Sequence, residues 1–308
     1  DDDDDDDDDD ETASPAVAPS AFQPPLDTSS TNAPSGGGGG GTEFVANSPW
    51  SFGGHVEDAS GRLFFEMPNG RGGWAAFVCS GTCVRDTVSG RSLILSAAHC
   101  IYDDVDQAFA RNVIFVPNQA GTTGSGTDRD CTNDPLGCWA VDFGVVDAAW
   151  TTTVFPANVA VDYGFYVVDG PGGTANTELD TTVTPMEIAF TTPLVGSFAT
   201  ALGYSSIDDP SFMHCQEAMV TEGPSNWWLA GCELSSGSSG GPWCQPIDGG
   251  NGPVISVNSW GYVGRSSGMA GPKLVGSTAQ CLYLKADDLD ATPKNPASRG
   301  YVIASSQC

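Results

Sequence analysis

Ser92-Leu93-Ile94-Leu95-Ser96-Ala97-Ala98-His99-Cys100 is the stretch that decides how this chain reads. An apolar strand runs into two small residues, a histidine and a cysteine. The small residues allow close packing beneath the imidazole, and a disulfide from Cys100 would fix the turn that aims it. Further along, Gly237-Ser238-Ser239-Gly240-Gly241-Pro242 sets a serine among glycines. Glycines let a backbone turn sharply and point its amides at one spot, where an oxyanion can form. Between the two lies Val161-Asp162-Tyr163-Gly164-Phe165-Tyr166-Val167-Val168. A histidine, an aspartate and a serine in these settings are the parts of an acyl-transfer site.

Chain order separates two folds. Gly237–Gly241 also fits G-x-S-x-G, the nucleophile elbow of α/β-hydrolases, in which the histidine follows the serine. Here His55, His99 and His214 all precede Ser239, which argues against that fold. His55 reads as a surface residue, and His214 has no role the sequence assigns.

The wider pattern is all-β. Short apolar or alternating runs recur between Gly, Pro, Asn and Asp clusters: Gly73–Val78, Ser92–Leu95, Val113–Val116, Gly144–Val146, Tyr163–Val168, Phe198–Leu202, Val254–Val257 and Cys281–Leu284. No segment sustains a helical period, and residues 298–305 suit a strand or a short helix. Asp169-Gly170-Pro171-Gly172-Gly173 is a turn cluster fit to join two strand-rich halves. The expected organisation is a tail over 1–45, a first domain over 46–168 carrying His and Asp, and a second over 169–308 carrying Ser. Asp1–Asp10, a Pro/Ser/Thr/Ala-rich stretch and Gly36–Gly41 hold too little apolar surface to offset their ordering entropy, so disorder is expected there, with folding from near Ser48-Pro49-Trp50.

Net charge is −28. Residues 1–45 hold 13 acidic groups and no Lys or Arg; the other 26 acidic and 11 basic residues leave −15 on the folded part. A basic stripe for nucleic acid and a polybasic membrane patch are both absent. The acidity reads as solubility in a salty or extracellular medium. Cation or basic-surface binding by the Asp run is the weaker reading. Ten cysteines, an even number, suit an oxidising compartment, and without a CxxC pair and with only three histidines a zinc site is not expected. The chain begins with Asp rather than Met, which suits a removed secretory signal, and no apolar run reaches transmembrane length.

Taken together, these motifs resemble those of the trypsin/chymotrypsin-like serine proteases, the secreted bacterial members above all. Ser96–Cys100 is similar to T-A-A-H-C, and Gly237–Pro242 to G-D-S-G-G-P. Cys79-Ser80-Gly81-Thr82 resembles the C-x-G-T segment, Ser259-Trp260-Gly261 the S-W-G strand, and Gly203-Tyr204 the G-W-G turn. The resemblance spans roughly residues 48–308. It implies two packed six-stranded antiparallel β-barrels with a cleft between them. It implies a secreted, monomeric endopeptidase acting on proteins or peptides without a cofactor. His99 would be the base, Ser239 the nucleophile, and the Gly237 and Ser239 amides the oxyanion hole. Ser259, Trp260 and Gly261 would line the cleft. Asp142 and Asp162 look alike locally; Asp162 is preferred, because it begins the strand leading into the Gly170–Gly173 connection. A catalytically silent binding module on the same fold and an esterase using the same triad are the rival classes.

Two departures matter. Ser238 stands where most of the family carries an aspartate that pairs with a new N-terminal amine. A serine cannot make that ion pair, so activity is not expected to need it, although removal of residues 1–45 could still unblock the cleft. The position that usually sets primary specificity falls near Glu233, where a carboxylate would favour Arg or Lys in the substrate. Cys79–Cys100 pairs by resemblance, Cys131–Cys138 would close a tight loop, and Cys215–Cys232 would brace the pocket. Cys83, Cys244, Cys281 and Cys308 have three possible pairings. Asp103, Asp104 and Asp106, and Asp128, Asp130 and Asp134, offer oxygen ligands that suit calcium, but neither follows a recognised loop spacing; solvated loops are the favoured reading, and no metal is assigned. Trp227, Trp228 and Trp243 read as packing residues.

Overall fold

In the strand Ser92–Ser96 every residue is buried, and the same holds for Phe143–Asp147 and Gly164–Val168. A strand with water on one face alternates; these have protein on both faces, so their apolar runs are continuous. The end serines are satisfied: Ser96 Oγ donates to Ser80 O at 2.8 Å, and Ser92 Oγ accepts from the Asp180 amide at 3.1 Å. The structure, a computed structural model, describes residues 42–288 and 299–308; the expected disorder over 1–41 lies outside the described residues.

Those three strands lie side by side in an eight-stranded sheet. Its spatial order is Gly300–Ile303, Phe143–Asp147, Gly164–Val168, Ser92–Ser96, Trp74–Val84, Ser60–Pro68, Arg111–Pro117 and Trp139–Ala140. A five-stranded sheet runs Val45–Pro49, Met213–Ala218, Phe198–Gly203, Pro242–Cys244 and Val254–Val257. A three-stranded one holds Val220–Glu222, Asn226–Leu229 and Met269–Pro272. The protein is all-β, as expected; among the described residues its strands form sheets of eight, five, three and two, the last pairing Tyr102–Asp103 with Ala108–Phe109. One hydrophobic cluster reaches from Leu63, Leu95 and Phe165 across to Leu202, Tyr204, Val257 and Leu282, so the two halves of the chain share a core. A second gathers around Trp227, Trp243 and the Cys215–Cys232 bridge.

Both ends of the described chain cross over. Val45–Pro49 pairs antiparallel with Met213–Ala218, whereas Gly300–Ile303 runs parallel to Phe143–Asp147. Among the described residues regular structure thus starts at Val45, a little before Ser48. It is fixed by the Trp50 amide donating to Phe212 O at 2.7 Å and by His214 Nδ1 donating to Ser48 O at 2.9 Å. Over the described residues 299–305 the strand-or-helix ambiguity resolves as a strand, Gly300–Ile303.

One element differs from its sequence reading. Cys281–Leu284 is not a strand; it sits inside the helix Ser277–Asp287. Ala279, Leu282 and Ala286 are buried, at helical spacing, and the Tyr283 ring lies 5.8 Å from Phe165 and 5.5 Å from Phe190. Four disulfides form: the three expected pairs and Cys281–Cys308. Cys83 and Cys244 are free and buried. Among the described residues no helix is long and apolar enough to cross a membrane.

The end of that helix meets an acidic junction. Thr87 donates its amide and hydroxyl to the two oxygens of Asp287, at 2.9 and 2.5 Å. Asp86 beside it has its carboxyl pushed up to about 7, first by burial and then by the charges of Asp180, Asp287 and Glu178, with Arg91 opposing. Unfolded, the same carboxyl ionises near 3.8. Its contribution to stability is therefore complete below about pH 4 and is lost as pH rises to about 7. Asp86→Asn is expected to remove this component. The difference in urea midpoint between variant and parent should grow in the variant's favour from pH 4 to pH 7 and then level off; a constant difference would overturn the assignment.

Candidate active site

His99 sits in a short 3₁₀ turn, Ala98–Cys100, directly after the strand Ser92–Ser96. Ala97 and Ala98 have no exposed surface, so larger side chains have no room there. The Cys79–Cys100 disulfide ties the turn to the neighbouring strand Trp74–Val84.

Strand register brings the aspartate to it. Gly164 pairs with Ser96 and Val168 with Ser92, so the residues just before Gly164 lie at the histidine end of the strand. Asp162 is fully buried there. Its Oδ1 accepts the His99 amide at 2.9 Å, and its Oδ2 accepts His99 Nδ1 at 2.8 Å and the Ser259 hydroxyl. Burial alone would raise this carboxyl; the charge of His99 and the hydrogen bonds from His99 and Ser259 outweigh it and hold the pKa below the ordinary value. Asp142 lies at the other end of the strand, where its amide donates to Val167 O and its Oδ2 accepts the Asp169 amide at 2.7 Å. With Nδ1 donating to a carboxylate, Nε2 carries the lone pair. That atom is buried and has no hydrogen-bond partner among the described residues.

Ser239 lies against the same turn. Its carbonyl accepts the Ser80 amide at 2.7 Å and is 3.8 Å from Cys100 Sγ. The loop around it needs its glycines. Gly240 has φ +81°, and a Cβ there would come within 2.4 Å of Ser80 O and 2.1 Å of Ser96 Oγ. Gly237 has φ +95°, and a Cβ would meet Tyr204 O at 2.8 Å. The Gly237 and Ser239 amides donate to no protein acceptor among the described residues, whereas Ser238, Gly240 and Gly241 each donate to a backbone carbonyl. Two unengaged amides flanking a serine are what an oxyanion requires.

A cleft of about 400 Å³ is lined by the segments Cys232–Ser236 and Gly261–Met269. Glu233 lines it but is exposed, with its amide held by Ala46 O at 2.8 Å. Arg265 lines it too, its guanidinium 5.3 Å over the Tyr262 ring. Of the Ser259-Trp260-Gly261 run, Gly261 alone faces this cleft; Trp260 is buried, and its backbone pairs with Ala270. The hydroxyl of Ser259, a residue expected along the cleft, donates to Asp162 Oδ2. No local sequence signal carries that role.

Several acidic loop residues cap their own surroundings. Asp103 Oδ1 accepts the Val105 and Asp106 amides, Asp104 Oδ2 the Phe155 amide and Asn158 Nδ2, and Asp130 Oδ1 the Thr132 amide and hydroxyl. Among the described residues, one cluster could offer three metal ligands, Cys79, His99 and Cys100, and its two sulfurs are bound to each other in a disulfide.

No protein-family model matches the chain, and no curated protein matches it. Solved structures do. Protease Anisep from Arthrobacter nicotinovorans superimposes with a TM-score of 0.62 at 24% identity, covering 78% of this chain and 99% of that one. The thermostable serine protease AL20 from an extremophilic microorganism gives 0.60 at 28% identity, over 79% and 100%. A Glu endopeptidase gives 0.56 at 17%, over 79% and 96%. The chain has the trypsin/chymotrypsin-like serine protease fold.

Proposed function

We propose that this protein is a secreted serine endopeptidase in which His99, Asp162 and Ser239 form the catalytic set. One observation carries the reading: a buried carboxylate fixes the His99 tautomer so that an unpartnered Nε2 is left in the turn against which Ser239 packs. Nε2 takes the Ser239 proton as Oγ attacks the scissile carbonyl. The Gly237 and Ser239 amides receive the developing oxyanion, a contribution on the order of 10²–10³ in turnover per donor. His99 then returns the proton to the leaving amine, and water, activated the same way, releases the acyl-enzyme. The fold and the likeness to AL20 support peptide-bond hydrolysis; the four disulfides accord with work outside the cytosol. The exposed Glu233 and the nearby Arg265 give the cleft both signs of charge, so a preference for Arg or Lys has little support.

The test is digestion of a diverse peptide library by the purified protein beside a Ser239→Ala control, with cleavage sites read by mass spectrometry. Cleavage that disappears in the control is the expected result. Turnover of small esters and fluorophosphonate labelling of Ser239 without peptide cleavage would make it an esterase. Neither labelling nor turnover, before or after trimming residues 1–41, would make it a silent binding module.

A further inference from the structure

The catalytic reading leaves one question of geometry: what aims the Ser239 amide. A trans peptide is planar, so its C=O and the following N–H point in opposite directions. Whatever holds Ser238 O therefore also sets where Ser239 N–H points. Ser238 O accepts two donors, the Gly241 amide at 2.9 Å and the side chain of Asn258 through Nδ2, also at 2.9 Å. The same nitrogen donates its other proton to Leu202 O at 2.7 Å. Asn258 Oδ1 accepts the indole Nε1 of Trp243 at 2.7 Å. An indole N–H only donates, and carbonyls only accept, so this set of partners allows one orientation of the amide. Asn258, Ser238 and Trp243 are all buried.

The Asn258 backbone grips the other side of the nucleophile. Its carbonyl accepts the Gly240 amide at 2.8 Å, and its amide donates to Gly241 O at 2.9 Å. The remaining donor plane is held by backbone alone, through Ser236 O and the Ser206 amide at 2.8 Å. Ser238 Oγ takes no part in this; it donates to Ser235 O at 2.6 Å.

We propose that Asn258 is a positioning residue that orients the Ser239 amide as an oxyanion donor, so that the hole is set by the folded interior without an N-terminal ion pair. The proposal rests on the peptidase reading above. Asn258→Asp is the sharpest probe, because it keeps the acceptor for Trp243 and turns the donor into an oxygen facing Ser238 O and Leu202 O. Ionised, that oxygen repels both carbonyls; protonated, it can donate to one of them. Burial and the two carbonyls raise the acid's pKa.

Peptide turnover and inhibition by a peptide boronic acid would be measured from pH 5 to pH 9 on parent and variant, with thermal melts alongside. At pH 8 kcat is expected to fall about 10–100-fold, a partial loss of one oxyanion donor. KM should stay within a few-fold, and boronate affinity should fall in parallel with kcat. The ratio of variant to parent kcat should recover as pH is lowered, which a purely structural role would not produce. If the Asp variant does not fold, Asn258→Ala, which removes the donor without adding charge, should show the same split of kcat from KM. An active parent with a variant whose kcat is unchanged, or falls only as its melting temperature does, overturns the role of Asn258 alone. A parent that neither cleaves nor labels overturns the function and this role together.

Discussion

Asp162→Asn is expected to lower kcat/KM on the order of 10⁴-fold while leaving the fold intact. The reason is the tautomer. In the protein, Asp162 Oδ2 only accepts, so His99 Nδ1 donates and, in the neutral ring, Nε2 is bare. An asparagine that keeps its oxygen on the His99 amide turns its NH₂ toward Nδ1. Nδ1 then accepts, the proton moves to Nε2, and the base is lost. Four decades correspond to about 5.5 kcal/mol of transition-state stabilisation. Ser259→Ala is the informative partner. It removes one of the donors to Asp162 but leaves the tautomer as it is, so its effect should be smaller by orders of magnitude. Steady-state kinetics on the best library peptide, with fluorophosphonate labelling rates as a second readout, measure both. An Asp162→Asn enzyme within tenfold of the parent would mean that another group orients His99, and Asp142 is too far along the strand to be that group.

How much of this was legible depended on range. The histidine and serine loops can be read because their needs are local: small residues under the imidazole, a cysteine beside it, and glycines at positions where φ is positive and a Cβ has no room. Asp142 and Asp162 could not be told apart by their neighbours, since each precedes an aromatic residue and a glycine in a buried strand. Pairing register separates them, and register is a property of two strands. The roles of Ser259, Asn258 and Ser80 were unreadable for the same reason: each acts through a partner distant along the chain, 97 positions for Ser259 and Asp162, 157 for Ser80 and Gly237, and 20 for Asn258 and Ser238. The helix Ser277–Asp287 was missed because its apolar core was judged over Cys281–Leu284 alone; a short apolar window fits a strand, and only Ala279 and Ala286 reveal the longer period. The even cysteine count suggested five bridges. Four form, and Cys83 and Cys244 behave as small buried apolar residues whose thiols burial pushes up.

Asp209→Ala should be strongly destabilising although it lies outside the active site, at about 3–5 kcal/mol. Arg62 enters the interior from the strand Ser60–Pro68 with no exposed side-chain surface. Its Nη2 donates to Asp209, its Nε to Gln119 Oε1 at 2.8 Å, and its guanidinium lies 5.5 Å from the Tyr204 ring centre. Nη1 has no partner among the described residues. Burial pulls the Arg62 pKa down to about 10, with Tyr204 opposing, so the cation persists at neutral pH and needs its counter-ion. The pair joins the eight-stranded sheet to the loop after Phe198–Gly203, behind Ser80, which faces Arg62 in register and donates to Gly237 O at 2.9 Å. Removing the carboxylate strands a buried charge. Replacing the cation is different: Arg62→Met fills much of the same volume, and the Asp209 side chain, 14% exposed, can turn to water. The methionine variant should therefore lose far less stability than the alanine variant, although both lack the same ion pair. At roughly 2–4 °C per kcal/mol for a chain of this size, Asp209→Ala should melt on the order of 10 °C below the parent. Because the pair is shielded from solvent ions, raising salt should not close the gap. Equal losses for the two variants would mean that the pair acts through its attraction alone, and that the burial of Arg62 carries no penalty for an unpaired charge.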